Sequence, residues 1–172
     1  MFMMNQILFQ QNLSLFQNNL FNTINSVNLD DCFLYSQKVE AFSGENAMHC
    51  NSCNMTTNSY YRTLLSTGPE ILVIVLNRGT GIEFKVKCEF VQQLNLYEYI
   101  EMKGTGYMYD LVGVVTHMGE SGGSGHFIAI CRSFIDKNWY RYNDDLVTPV
   151  NNFVQEVINY AMPYILFYQK RH

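Results

Sequence analysis

Apolar residues fall in short blocks along this chain, alternating or continuous, and helical periodicity is rare. Ile71 to Asn77 is almost unbroken Ile/Leu/Val, the pattern of a strand covered on both faces. Tyr60 to Leu65, Phe84 to Val91, Tyr107 to His117, Phe127 to Phe134, Trp139 to Tyr142 and Tyr164 to Gln169 also read as strands. Two glycines within Arg78 to Ile82 predict a turn, across which the segment from Phe84 is placed to pair back. Gln10 to Phe16 alternates and predicts an extended segment before a polar loop, Gln17 to Val27. Asn28 is suited to cap a short helix over Leu29 to Gln37, with Asp31 positioned to return the contact. Ala41 to Thr57 reads as a polar connection, Leu94 to Ile100 as short helical or irregular, and Asn151 to Asn159 as a second short helix. Tyr and Phe inside the strands, within an aromatic content of 15%, suit an antiparallel sheet. The predicted class is α+β, mostly antiparallel β.

Composition narrows the partners. A chain of 172 residues that is 48% hydrophobic has enough apolar surface for one domain with a sizeable core. The net charge of −4 and the lack of a basic run argue against nucleic acid. No apolar run approaches the ~20 residues needed to cross a bilayer, so no membrane partner is expected. Met1 to Phe16 is rich in Asn and Gln and lacks the charged start and apolar centre of a signal peptide. Five cysteines, an odd number, without such a signal point to a reducing, intracellular compartment, cytoplasm or nucleus. Those thiols are expected as metal ligands or core residues.

The chemistry-bearing pattern is Gly125-His126-Phe127 followed by Trp139-Tyr140-Arg141-Tyr142-Asn143-Asp144-Asp145. Asn143 lies seventeen positions after His126, so one short connection joins the two strands that carry them. Antiparallel pairing would bring an imidazole and an amide together, as cysteine hydrolases require: the ring takes the thiol proton and a polar residue fixes its tautomer. His126 is also readable as a structural strand residue, and Asn143 as a turn former. Asp144 is readable as an assistant that polarises a group or water near the oxyanion, or as a turn residue. Gly119, Gly122, Gly123 and Gly125 form either a flexible hairpin loop or a backbone that must approach a thin substrate closely.

Cys50-Asn51-Ser52-Cys53 has the spacing that places two thiolates on one edge of a tetrahedral metal site. One such pair is half a site, and Cys32, Cys88 and Cys131 do not form a second close pair. A thioredoxin-like redox motif is the competing reading, but no β-α-β pattern surrounds it.

In order, these boxes resemble ubiquitin-specific proteases, the papain-like deubiquitinases. The resemblance runs from about Leu8 to Tyr168. It includes Gly-His-Phe where the family usually has Gly-His-Tyr, Val75-Leu76-Asn77-Arg78 for its Leu-Lys-Arg, Phe90-Val91 for Phe-Pro, and the closing strand Tyr164-Ile165-Leu166-Phe167-Tyr168. It implies the palm and fingers of one partial domain, residues 1–172, with the thumb half missing. It implies His126 as base, Asn143 as the orienting residue with Asp144 beside it, and Gly122, Gly123 and Gly125 bordering the channel for the ubiquitin tail. Cys50 and Cys53 correspond to the second pair of the family's zinc-binding fingers, with the first pair expected just before Met1. The family's nucleophile box has no counterpart among the five cysteines. The expected activity is thiol-dependent hydrolysis after ubiquitin's C-terminal glycine by a complete domain, with ubiquitin and ubiquitinated proteins as partners and an N-terminal half supplying the thiol. A non-catalytic ubiquitin-binding scaffold and a split subunit are the alternatives.

Overall fold

The computed structural model describes residues 8–12, 26–78, 86–104, 106–121, 124–158 and 162–172; of residues 8–12 and 119–121 it describes the backbone alone. The strands in chain order are β1 (Leu8–Asn12), β2 (Ser26–Asn28), β3 (Glu40–Phe42), β4 (Met48–Cys50), β5 (Met55–Thr57), β6 (Ser59–Tyr61) and β7 (Ile71–Asn77). They continue as β8 (Lys87–Glu89), β9 (Gln93–Asn95), β10 (Met108–Ser121), β11 (Ser124–Arg132), β12 (Trp139–Asn143), β13 (Leu146–Pro149) and β14 (Pro163–Lys170). The α-helix α1 (Leu29–Ser36) follows β2 directly. Its cap is Asn28, whose side-chain oxygen accepts the Asp31 N–H at 2.7 Å, satisfying one of the free amides of the first turn.

The main sheet runs β1-β7-β14-β10-β11-β12-β13, with β9 also on β10. All of its pairings are antiparallel except β1 on β7. The long strand β10 is its spine. A register shift between Leu111 and Gly113 moves the alternation by one residue. As a result Tyr109 and Leu111 before it, and Val114 and Thr116 after it, are all buried. Leu72, Ile74, Leu76, Leu166, Tyr168 and Ile130 complete the core layer. Each fully buried aliphatic side chain there contributes about 1.5–3 kcal/mol. Helix α1 adds Leu29, Cys32 and Phe33, and Phe33 stacks on Tyr99 at 4.8 Å between ring centroids.

Arg78 ends the apolar strand β7 and is itself fully buried. Its Nε donates to the Pro163 carbonyl at 2.7 Å and its Nη1 to the Val86 carbonyl at 2.5 Å. One guanidinium thereby ties the end of β7 to the start of β14 and to the approach to β8. Burial pulls its pKa down, and the nearby Cys88 and Cys32 work against that pull.

Several expectations are corrected. The described part of the segment expected to pair back on Ile71 to Asn77 pairs elsewhere: β8 lies parallel to β2, Val27 opposite Cys88, so that Cys88 and Val27 enter the core together, while residues 84–85 lie outside the described residues. The expected turn after Arg78 lies outside the described residues. The polar connection from Ala41 to Thr57 carries two small antiparallel ladders, β3 with β6 and β4 with β5. The strand expected over Tyr60 to Leu65 shrinks to β6, and Leu65 makes an isolated bridge to Ile100. Leu94 to Ile100 divides between β9 and a 3-10 turn, Tyr97–Tyr99. The helix over Asn151 to Asn159 is a single π-helical turn, Val154–Ile158, and β13 was not foreseen. The extended segment near the start is β1, two residues earlier than expected; residues 13–25, most of the expected polar loop, lie outside the described residues. Among the described residues, no helix is long and apolar enough to cross a membrane.

Candidate active site

The hairpin β10–β11 sets the site. The strands continue through most of the expected Gly-rich loop, with Met118 opposite His126 and Ser121 opposite Ser124. Gly125 and His126 therefore belong to a strand rather than to a loop, while Gly122 and Gly123 lie outside the described residues. In β11, His126, Ile128 and Ile130 share one face by the two-residue period. Ile128 and Ile130 are buried, so His126 continues the core row past its end, where the side chain becomes 45% exposed.

The register of β11 on β12 places Ala129 opposite Tyr142. Asn143 then falls opposite position 128, a diagonal neighbour of His126 on the same face and within reach of a long side chain. The contact forms: His126 Nε2 and Asn143 Oδ1 are 2.5 Å apart. An amide oxygen can only accept, so this contact takes a proton on Nε2, which in the neutral ring leaves the lone pair on Nδ1. Asp144 opens the two-residue turn between β12 and β13 with φ +50, a left-handed conformation that Asp tolerates. Its carboxylate Oδ2 stands 3.7 Å from the same Nε2 and is 79% exposed. Asp145 completes the turn, and Trp139 is buried against Phe153, ring centroids 4.3 Å apart.

Gly125 has φ +153, and the space where a side chain would stand is already filled. A side chain there would place its Cβ 2.2 Å from the ring of His117 and 2.7 Å from the Met118 carbonyl. His117 is buried, directly opposite Phe127, with ring centroids 4.8 Å apart. His117 was not singled out from the sequence, and Arg78 only as the last residue of a family match with no role attached. The signal was a polar residue at the end of an apolar run: Val114-Val115-Thr116-His117 in one case, the Ile/Leu/Val run followed by Asn77-Arg78 in the other.

None of the five cysteines is placed as a partner of His126 by any described contact. Cys32 and Cys88 are buried in the core. Hydrogen bonding between them raises the Cys32 thiol and lowers that of Cys88, with burial opposing the second shift. Cys131 is five residues along β11, roughly 17 Å away at strand rise, and burial pushes its thiol up. Cys50 and Cys53 flank the β4–β5 turn, where Asn54 adopts φ +56 and donates to the Cys50 carbonyl at 2.8 Å. The backbone N–H groups of Cys53 and Ser52, with the Cys53 thiol, lower the Cys50 pKa. That turn favours a thiolate at Cys50, the form in which a thiol binds a metal. Among the described residues, no cluster of three or more His, Cys, Asp or Glu forms around this pair.

Residues 5–168 match the family model described as ubiquitin carboxyl-terminal hydrolase. The human protein ubiquitin carboxyl-terminal hydrolase 43 is 28% identical over 86% of the chain, and the rat ubiquitin carboxyl-terminal hydrolase 48 is 31% identical over 68%. The chain spans 15% and 12% of those two proteins. Among solved structures, the yeast SAGA DUBm aligns with a TM-score of 0.67 at 27% identity, over 86% of this chain and 35% of the matched one. The SAGA Ubp8/Sgf11/Sus1/Sgf73 DUB module bound to ubiquitin aldehyde aligns with a TM-score of 0.66 at 26% identity and the same coverage.

Proposed function

This chain belongs to the ubiquitin carboxyl-terminal hydrolase family, and from that premise we propose that it is the base-bearing part of a cysteine-type deubiquitinase. The observation that carries the proposal is the 2.5 Å contact between His126 Nε2 and Asn143 Oδ1. It fixes the tautomer with the lone pair on Nδ1, the atom that would take a thiol proton. The nucleophile in this reading is a cysteine outside these 172 residues: Cys32 and Cys88 are buried in the core, Cys131 sits five residues along β11 from His126, and Cys50 and Cys53 belong to the β4–β5 turn.

In the complete enzyme the thiolate attacks the carbonyl carbon of ubiquitin's last glycine, and His126 holds the thiol proton at Nδ1. The imidazolium then protonates the leaving amine, and the amine departs. Water, deprotonated by the same nitrogen, cleaves the thioester and releases the ubiquitin carboxylate with the thiol restored. Asn143 holds the Nε2–H throughout, so that Nδ1 is the nitrogen that gains and loses the proton. Asp144, 3.7 Å from the same nitrogen, polarises a group or water near the oxyanion in this reading. Gly122, Gly123 and Gly125 border the path of the ubiquitin tail in this reading. Cys50 and Cys53 would hold a structural zinc together with two ligands from another segment, stiffening the β4–β5 hairpin without touching the chemistry.

The test is turnover of a fluorogenic ubiquitin substrate by the protein joined to its nucleophile-bearing half. His126→Ala should abolish turnover while ubiquitin binding persists. Normal turnover by that variant would overturn the assignment. Ubiquitin binding without any turnover by the parent protein would favour a scaffold instead.

A further inference from the structure

The ring behind the Gly125–His126 peptide carries an inference about the same site, and it rests on the reading just given. His117 and His126 lie on opposite faces of the β10–β11 hairpin: His117 stands opposite Phe127, while His126 stands opposite Met118. Gly125 shares the His117 face by strand alternation. The imidazole of His117 leans across the place where a Gly125 side chain would be, with Cε1 and Nε2 both 2.2 Å from an ideal Cβ. The ring thus rests on the bare backbone of the residue immediately before the candidate base.

The ring is itself held on several sides. Phe127 meets it edge to face at 4.8 Å between centroids, and Tyr164 meets Phe127 in turn at 5.2 Å. Behind it, the His117 backbone N–H donates to the Met162 carbonyl at 3.3 Å, which fixes the main chain that carries the ring. The adjacent Thr116 hydroxyl donates to the same carbonyl at 2.8 Å and accepts the Met162 N–H at 2.8 Å. A buried, braced ring pressed on a glycine with φ +153 leaves the Gly125–His126 peptide little freedom. In front, the 2.5 Å contact to Asn143 is short enough that a displacement of about 1 Å would break it.

We propose that His117 is a positioning residue, a rigid backing whose ring sets the backbone of Gly125 and thereby aims His126 at Asn143. It touches neither substrate nor the reacting atoms. It acts on the geometry of the base, so it governs the chemical step rather than ubiquitin binding.

The test reads two signals. In the protein with labelled histidines, long-range proton–nitrogen spectra report the His126 tautomer whether or not the chain turns over ubiquitin. The parent should show His126 as one Nε2–H tautomer; His117→Ala should show a mixture, and His117→Gln, which returns a flat polar group to the same depth, should restore it. In the nucleophile-bearing protein, His117→Ala should lower kcat about tenfold or more with KM within about twofold, and His117→Gln should recover most of it. If His117→Ala does not fold, His117→Leu replaces it, filling the volume without a flat ring and giving the same two expected changes. An unchanged tautomer with unchanged kcat, or a loss expressed in KM alone, overturns the proposal. Absence of turnover in the parent overturns the catalytic reading, while the tautomer spectra still decide the role of His117.

Discussion

Two acceptors converge on one nitrogen of His126, and their unequal geometry makes a quantitative prediction. Asn143 Oδ1 is at 2.5 Å and Asp144 Oδ2 at 3.7 Å. A hydrogen bond to a group that becomes charged is worth about 1.5–3 kcal/mol, and the half-exposed ring places Asn143 at the lower end. Asn143→Ala should therefore cost about tenfold in kcat/KM. The Asp144 carboxylate is 79% exposed, so its attraction to the imidazolium is that of charges in water, about 1 kcal/mol before ionic screening. Asp144→Ala should cost about fivefold or less at low salt. Because both act on Nε2, the carboxylate can take over part of the task when the amide is gone. The double variant should then lose more than the product of the two single losses, a coupling of about 0.5–1 kcal/mol. The assay is turnover of a fluorogenic ubiquitin substrate by the four members of the cycle, at low and at high salt. Salt should erode the Asp144 contribution and leave that of Asn143 unchanged. An Asp144→Ala loss larger than that of Asn143→Ala, or one insensitive to salt, would refute the reasoning.

Further predictions address the frame around the site. Gly125→Ala forces a Cβ into the His117 ring and the Met118 carbonyl at a positive φ, and should lower stability by about 2–4 kcal/mol in urea unfolding. Addition of His117→Ala should relieve part of that loss. Arg78→Met leaves the Pro163 and Val86 carbonyls without their donor and should cost about 2–5 kcal/mol, offset in part by the removal of a buried charge; unfolding unchanged within about 0.5 kcal/mol would contradict the bridging role. The Asn152 N–H, then the Asn151 N–H and Arg141, hold Glu156 below its ordinary value of 4.5, and mild burial opposes them. A depressed carboxylate contributes stability that is present above the unfolded value and lost as pH falls through the folded one. The melting difference between the parent and Glu156→Gln should accordingly be larger at neutral pH than near pH 3. Cys50, lowered by the amides of its turn, should react with a maleimide at lower pH than Cys131, which burial pushes the other way; mass mapping of the adducts reads the order.

What the chain determines locally and what its packing decides divide along physical lines. Asn28 caps α1 because the cap needs one side chain and an amide three residues on, both encoded within a few positions. The strands β7, β10, β11, β12 and β14 were legible because apolar runs and alternation register burial directly. The meeting of His126 and Asn143 was legible too, because a short connection between antiparallel strands leaves few registers open. The pairing of β8 was not: Lys87, Cys88 and Glu89 alternate equally well beside either neighbour, and burial of Cys88 with Val27 in the core selects β2. The Gly-rich segment looked like a loop because glycine is compatible with almost any conformation, yet at Gly125 its use is to make room for a ring. That ring belongs to His117, which stands eight positions earlier in the sequence. A sequence records that Gly125 lacks a side chain; only the folded hairpin holds what fills the space, since close approach depends on the register and twist of two strands together.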